Sequence, residues 1–272
     1  MTSAALYNQT LLTNFQRDRL SVVLVSPRNP LNIGAAARAM ANFGFDRLTV
    51  VAPYEEHWRE ARSAVGAEDL LRHAKVTESL KDAIADSTLV VGTGTSTRRR
   101  PKQRQILLPD LAPFIQHELA HGGRVALVFG SEKHGLTRDD FALCHILAEI
   151  PTDSRQPSMN LGQAVAVCLY ELVRSNSPNI HNNPTSNESF ANDSPTNAIS
   201  LASAHELDLL ATVVEESMQA ANYSPATMRK ANRHDLDILL RRLSLRSHDA
   251  RRILGIFRRI LWRLEKPRNP GG

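Results

Sequence analysis

Five polar side chains in this sequence have the type and spacing to act on a ligand. They are Asn32 and Arg38 in LNIGAAAR, Glu132 in FGSEKHGL, and Ser158 and Asn160 in QPSMN. Asn32 and Arg38 stand six positions apart, so on a helix they occupy adjoining faces near its start. The small residues between them let a neighbouring helix or a ligand approach closely. As plain structure, the same pair is a capping asparagine and a surface arginine. Glu132 is either a catalytic carboxylate or an exposed loop glutamate. Ser158 and Asn160 lie in a polar loop between an apolar run ending at Ile150-Pro151 and a helical pattern opening at Leu161. A loop of this kind turns backbone N–H groups and a helix N-terminus toward the crevice at a sheet edge, where α/β proteins hold ligands.

The turn Gly92-Thr93-Gly94-Thr95 also leaves an apolar run. It reads as a backbone cradle for a small polar ligand, or as an ordinary glycine-rich connection. It lacks the third glycine and the directly following helix of a dinucleotide fingerprint, which disfavours a nicotinamide oxidoreductase. There is no GxxxxGK[ST] segment, which disfavours a P-loop NTPase. His134 has no partner at metal-ligand spacing, and the two cysteines, Cys144 and Cys168, form no CxxC. No metal is expected, and the thiols read as buried in a reducing compartment.

Positioning these residues requires a sheet. Apolar runs at 20–26, 47–52, 88–92, 124–130 and 146–150 suit strands buried on both faces, with a short candidate at 75–77. Helical patterns at 31–43, 58–73, 79–85, 109–120 and 161–174 alternate with them, and Gly66 is a possible break in the second. Asn32 and Gly44 stand at capping positions of the first. The alternation predicts an α/β fold, a parallel sheet covered by helices on both faces. The polar loops then converge on its carboxyl edge.

Composition divides the chain. Residues 1–18 read as a flexible arm and 19–175 as the α/β domain. Residues 176–200 are rich in Asn, Ser, Pro and Thr and lack Lys and Arg, as a flexible linker does. Residues 201–272 carry apolar positions at helical spacing with arginines between them, a small helical unit. The 272 residues are 42% hydrophobic and 22% charged, ordinary for a globular protein. The N-terminus has no signal-peptide pattern, and no run nears the roughly 18 apolar residues of a membrane span. A cytoplasmic protein without a membrane partner is expected.

The net charge of +5 makes a polyanion a candidate partner. Arg98, Arg99, Arg100 and Lys102 leave the same sheet edge as the proposed site, a placement that favours phosphate contacts. Arg229, Arg241, Arg242, Arg251, Arg252, Arg258 and Arg259 either extend that footprint or form the solvated face of the helical unit.

Taken in order, NxGxxxR at Asn32 to Arg38, FGSExxGL at Phe129 to Leu136 and IPTDSRQPSMNLGQA from Ile150 resemble three motifs of a known family. These are motifs 1, 2 and 3 of the SpoU (TrmH-like) branch of the SPOUT RNA methyltransferases. The likeness spans roughly residues 20–175, and the linker with its helical unit is most similar to the TrmJ group. The resemblance implies transfer of a methyl group from S-adenosylmethionine to a ribose 2′-hydroxyl. In the TrmJ group that ribose belongs to a pyrimidine, cytidine or uridine, at nucleotide 32 of the tRNA anticodon loop. An rRNA substrate is the alternative within the class, and a nonenzymatic RNA-binding relative the alternative outside it. A C-terminal trefoil knot in the sheet domain and a homodimer are also implied. Carried over by position, Thr93, Gly94, Thr95, Gly130, Ile150, Pro157, Ser158 and Met159 line the cofactor pocket. Arg38, Glu132, Ser158 and Asn160 lie near the chemistry, with Asn32 shaping the pocket. The group often has Ser-Ser-Leu-Asn where this chain has Pro157-Ser158-Met159-Asn160, which keeps the serine and the asparagine.

Overall fold

Seven strands form one sheet in the computed structural model, which describes residues 12–94, 102–174, 200–223 and 225–266. They are β1 (Leu20–Val25), β2 (Leu48–Val51), β3 (Lys75–Thr77), β4 (Leu89–Thr93), β5 (Arg104–Leu107), β6 (Val125–Phe129) and β7 (Ile146–Glu149). All neighbours pair in parallel, in the order β3-β2-β1-β6-β4-β7-β5. The helices among the described residues of this domain are α1 (Asn14–Arg17), α2 (Pro30–Phe43), α3 (Glu68–His73), α4 (Leu80–Ile84), α5 (Leu108–Ala120), α6 (Arg138–Ala142) and α7 (Leu161–Arg174).

Alternate strand residues feed two cores. Val22 and Leu24 of β1 pack with Ile33, Met40, Ile115 and Val165 of the helices on one face. Val23 and Val25 pack with Leu80, Ile84 and Phe141 on the other. A strand buried on both sides needs an unbroken apolar run, which is the pattern the sequence displays. Both cysteines are free and buried; burial pushes each thiol up to about 12, so neither is a ready nucleophile.

Three local differences from the expectation have clear causes. The pattern at 58–73 splits into a 3-10 turn, Trp58–Glu60, and α3, with Gly66 between them at φ +77°. The cap of α2 is Asn29, not Asn32: the Asn29 side chain accepts from the N–H of Leu31 at 2.9 Å, and Pro30 occupies the first turn. Asn32 is thereby released for another contact. β5 and α6 were not anticipated. In the edge strand β5 only Ile106 is buried, so it has no apolar run, and α6 is one short helix opened by a Thr137–Asp140 capping box.

Within the first 18 residues, Leu12 packs in the core and Thr13 caps α1. Residues 176–199 of the expected linker lie outside the described residues. The C-terminal unit comprises α8 (Ala204–Ala220), α9 (Arg229–Arg242) and α10 (Ser247–Glu265) around Leu207, Leu210, Ala211 and Leu240. It is seated on the α/β domain through the N–H groups of Ala204 and His205, which donate to Ser87 O and Ala85 O. Ion pairs Lys81–Asp208 (2.6 Å) and Lys102–Asp235 (2.9 Å) and the Arg138–His234 hydrogen bond (3.1 Å) add to the contact. Its arginines are not one phosphate-binding set. Arg241 is only 2% exposed, its Nη1 donating to Asp237 O, while Arg229 and Arg251 are paired with Glu215 and Glu206.

Candidate active site

Sheet order places β1, β6, β4 and β7 side by side, so the loops that follow them emerge together at the carboxyl edge. One hydrogen-bonded chain ties three of these loops. The N–H groups of Arg28 and Asn29, after β1, donate to Glu132 Oε2 (2.9 Å) and Oε1 (3.1 Å) in the loop after β6. Asn32 Nδ2 donates to the same Oε1 at 2.8 Å, and Asn32 Oδ1 accepts from Asn160 Nδ2 at 2.8 Å. Asn160 Oδ1 in turn accepts from the N–H of Gly162 at 3.0 Å, which makes Asn160 the cap of α7. Gly162 lets that helix approach: a Cβ there would lie 2.6 Å from the Ala35 Cβ of α2.

Burial raises the pKa of Glu132, but the hydrogen bonds from Asn32 and from the N–H groups of Arg28, Glu132 and Asn29 outweigh it. Its carboxyl is held below the ordinary carboxylate value. Through these hydrogen bonds Glu132 joins the loops that follow β1 and β6.

Beside this chain lies a cavity of about 470 Å³, within the size range of small-molecule sites. Phe129, Leu136, Phe141, Ile150 and Met159 give it apolar walls, while Thr93, Ser131 and Ser158 bring polar atoms to its lining. Those walls fit a flat heterocycle, and the polar atoms fit the hydrophilic remainder of a nucleoside-like cofactor. A larger hollow of about 710 Å³ at the amino ends of β2 and β3 is lined by Phe45, Asp46, Arg47 and Lys75. None of the motif loops reaches it.

The structure brings most of the expected residues together. Thr93, Gly94, Gly130, Glu132, Ile150, Pro157, Ser158 and Met159 all line the cavity, and Asn32 and Asn160 brace it from one side. The Thr93 hydroxyl is already used, donating to Val128 O at 3.0 Å. Gly130 is required by its own loop: a Cβ there would lie 2.0 Å from the Gly135 carbonyl carbon. Ser158 is exposed, and its hydroxyl has no partner among the described residues. Arg38 is not brought to the cavity; it is exposed on α2, with no hydrogen bond or ion pair among the described residues. Lys102 is paired with Asp235, while Thr95, Arg98, Arg99 and Arg100 lie outside the described residues. Phe141, which forms a wall, is outside every motif read from the sequence. A lone apolar residue in a polar segment was the available signal. Among the described residues no group of three His, Cys, Asp or Glu is placed to hold a metal ion, and no helix is long and apolar enough to cross a membrane.

Residues 19–170 match the family model described as the SpoU rRNA Methylase family. The tRNA (cytidine/uridine/adenosine-2′-O-)-methyltransferase TrmJ of Pseudomonas aeruginosa is 36% identical over 251 residues, covering 92% of this chain and 95% of that protein. The tRNA (cytidine-2′-O-)-methyltransferase TrmJ of Methanocaldococcus jannaschii is 38% identical over 156 residues, covering 56% of this chain and 66% of that protein. A crystal structure of TrmJ from Z. mobilis ZM4 superposes with a TM-score of 0.74 at 27% identity, covering 88% of this chain and 98% of that one.

Proposed function

The chain belongs to the SpoU methylase family, and from that premise we propose that it methylates a ribose 2′-hydroxyl of tRNA. The observation that carries this reading is the cavity framed by the three motif loops and braced through Glu132, Asn32 and Asn160. The names of its TrmJ relatives favour tRNA; both name cytidine, and that of the P. aeruginosa enzyme adds uridine and adenosine. We read a cytidine or uridine at nucleotide 32 of the anticodon loop as the site. A cytoplasmic location follows from that substrate. The family description names rRNA, which makes rRNA the second reading.

The cofactor of this reading is S-adenosylmethionine, held by Ile150, Met159 and Leu136 against its base and by Thr93, Gly94, Gly130 and Pro157 around the rest. When bound, it supplies an electrophilic methyl group. The protein's task is then alignment of the 2′-oxygen and removal of its proton. Arg38 is unsuited to taking the proton, because a guanidinium stays charged below about pH 12. In this reading Arg38, which stands outside the cavity of its own chain, clamps the substrate phosphate and 2′-oxygen once the RNA is bound in the homodimer, and Ser158 or water relays the proton to solvent. Two further features belong to this reading. β7 inserts between β4 and β5, which supports a knotted path. Exposed Leu31, Val167 and Tyr170 on α2 and α7 support a homodimer through that face.

Mass spectrometry of tRNA nucleosides from a deletion strain tests the substrate: 2′-O-methylcytidine or 2′-O-methyluridine should fall. Unchanged levels, with loss in rRNA, would move the assignment to rRNA. Arg38→Lys tests the clamp, which needs the planar two-pronged donor. Methylation near the wild-type rate would remove both the clamp and the base assignments.

A further inference from the structure

Two side chains beside the site take no part in the cavity lining or in the bracing hydrogen bonds. Arg28 follows β1 and Tyr54 follows β2, and the Arg28 guanidinium lies 4.8 Å from the centre of the Tyr54 ring. Tyr54 is 67% exposed, so its ring is open to a ligand. The backbone of the pair is fixed on both sides. The N–H of Tyr54 donates to Pro27 O at 3.1 Å, and the N–H of Arg28 donates to Glu132.

The two strands also end in the same strained way. Ser26 has φ +47° and Ala52 has φ +42°, left-handed conformations that disfavour residues with a Cβ. Each is held there by the sheet: Ser26 N–H donates to Val51 O and Ala52 N–H to Thr77 O. Such strain persists where the surroundings over-determine it, and it clusters at ligand sites. Here its effect is to turn both chains so that Arg28 and Tyr54 meet beside Glu132.

We propose that the Arg28–Tyr54 pair is a stacking platform for an RNA base flanking the methylated ribose, a substrate-binding element of this enzyme. The proposal rests on the RNA methyltransferase reading above. The chemistry favours a base and not a phosphate. An aromatic face with a guanidinium over it accepts any base by stacking and cation–π attraction. Exposed Glu55 and Glu56, directly after Tyr54, repel a phosphate at the same spot. Binding at Tyr54 is therefore insensitive to salt, unlike binding through the basic segment.

The test is equilibrium binding of unmodified tRNA to the full-length protein and its variants across a salt series, with methyl transfer and S-adenosylmethionine affinity measured alongside. Tyr54→Ala should weaken tRNA binding about 5- to 140-fold, the range for one stacked base. The slope of log affinity against log salt and the cofactor affinity should stay unchanged. Tyr54→Phe, which keeps the ring, should bind within about twofold of wild type. Three results would overturn the proposal: Tyr54→Ala binding like wild type, Tyr54→Phe as impaired as Tyr54→Ala, or a flatter salt slope in Tyr54→Ala. A wild-type protein that binds tRNA without methylating it would instead overturn the reading of tRNA as the methylated substrate, and the binding series would still decide the role of Tyr54.

Discussion

Replacing Asn32 tests whether the Glu132–Asn32–Asn160 chain holds the pocket together. Asn32→Ala removes one charge-assisted hydrogen bond to Glu132 and one neutral bond from Asn160, both 2.8 Å long. Such bonds are worth about 1.5–3 and about 0.5–1.5 kcal/mol. Glu132 keeps its backbone donors and is reached by water, so the lower ends apply, about 2 kcal/mol in total. For a chain of this size that is a fall in Tm of about 4–8 °C. Asn32→Asp makes a sharper perturbation, because a carboxylate replaces the Nδ2 donor beside Glu132. At the 2.8 Å of the present bond, two charges repel by about 1.5 kcal/mol in water-like surroundings and about 6 kcal/mol at an effective dielectric of about 20. The pair escapes by sharing a proton, which raises one folded-state pKa above its unfolded value. The stabilising shared proton is then fully present below the unfolded pKa and lost as pH rises through the folded one. Thermal melts and calorimetric binding of S-adenosylmethionine at several pH values read both variants. Asn32→Ala should be impaired at neutral pH, with its deficit narrowing only as pH falls through the lowered folded pKa of Glu132, whereas Asn32→Asp should already recover at higher pH, as its shared proton binds. An Asn32→Ala protein with wild-type Tm and cofactor affinity, or an Asn32→Asp protein indifferent to pH, would refute the bracing role.

Gly130→Ala places a Cβ 2.0 Å from Gly135 backbone, so the loop after β6 must shift; we expect a loss of about 1–3 kcal/mol in a melt and cofactor affinity lowered at least tenfold. Arg241→Ala leaves Asp237 buried with only Arg233 beside it, and should cost up to about 3–5 kcal/mol in chemical denaturation. Arg241→Met fills the space but leaves the same carboxylate, so adding Asp237→Asn should recover part of the loss. Glu132 has a lowered folded pKa, so its contribution is present above the ordinary carboxylate value and disappears as pH falls through the folded one. Cofactor affinity should therefore decline in acid in wild type, and decline less steeply in Glu132→Gln.

The sheet was legible because a strand buried on both faces leaves a continuous apolar run, as at Leu20–Val25 and Val125–Phe129. β5 left no such mark, since it lies at the edge and buries one residue of its four. The polar motifs marked which loops matter, because their residue types recur in the order and spacing of a family pattern. They did not say what each residue does. Asn32 looked like a cap, but Asn29 caps α2; Glu132 read equally as a catalytic carboxylate or a loop glutamate, and the fold turns the N–H groups of Arg28 and Asn29 and the Asn32 side chain onto it. Arg241 carried the same charge signature as its exposed neighbours, yet it is buried.

The sequence alone determined the fold class, the set of loops at the carboxyl edge and the kind of ligand they suit, because these follow from hydrophobic period and residue type along short stretches. Tertiary structure alone decided that Glu132 braces, that Arg38 stands outside the cavity, that the helical unit is docked, and that Arg28 meets Tyr54. Those outcomes depend on contacts between residues 26 to 133 positions apart, and nothing in a local pattern encodes which distant partner a polar side chain finds.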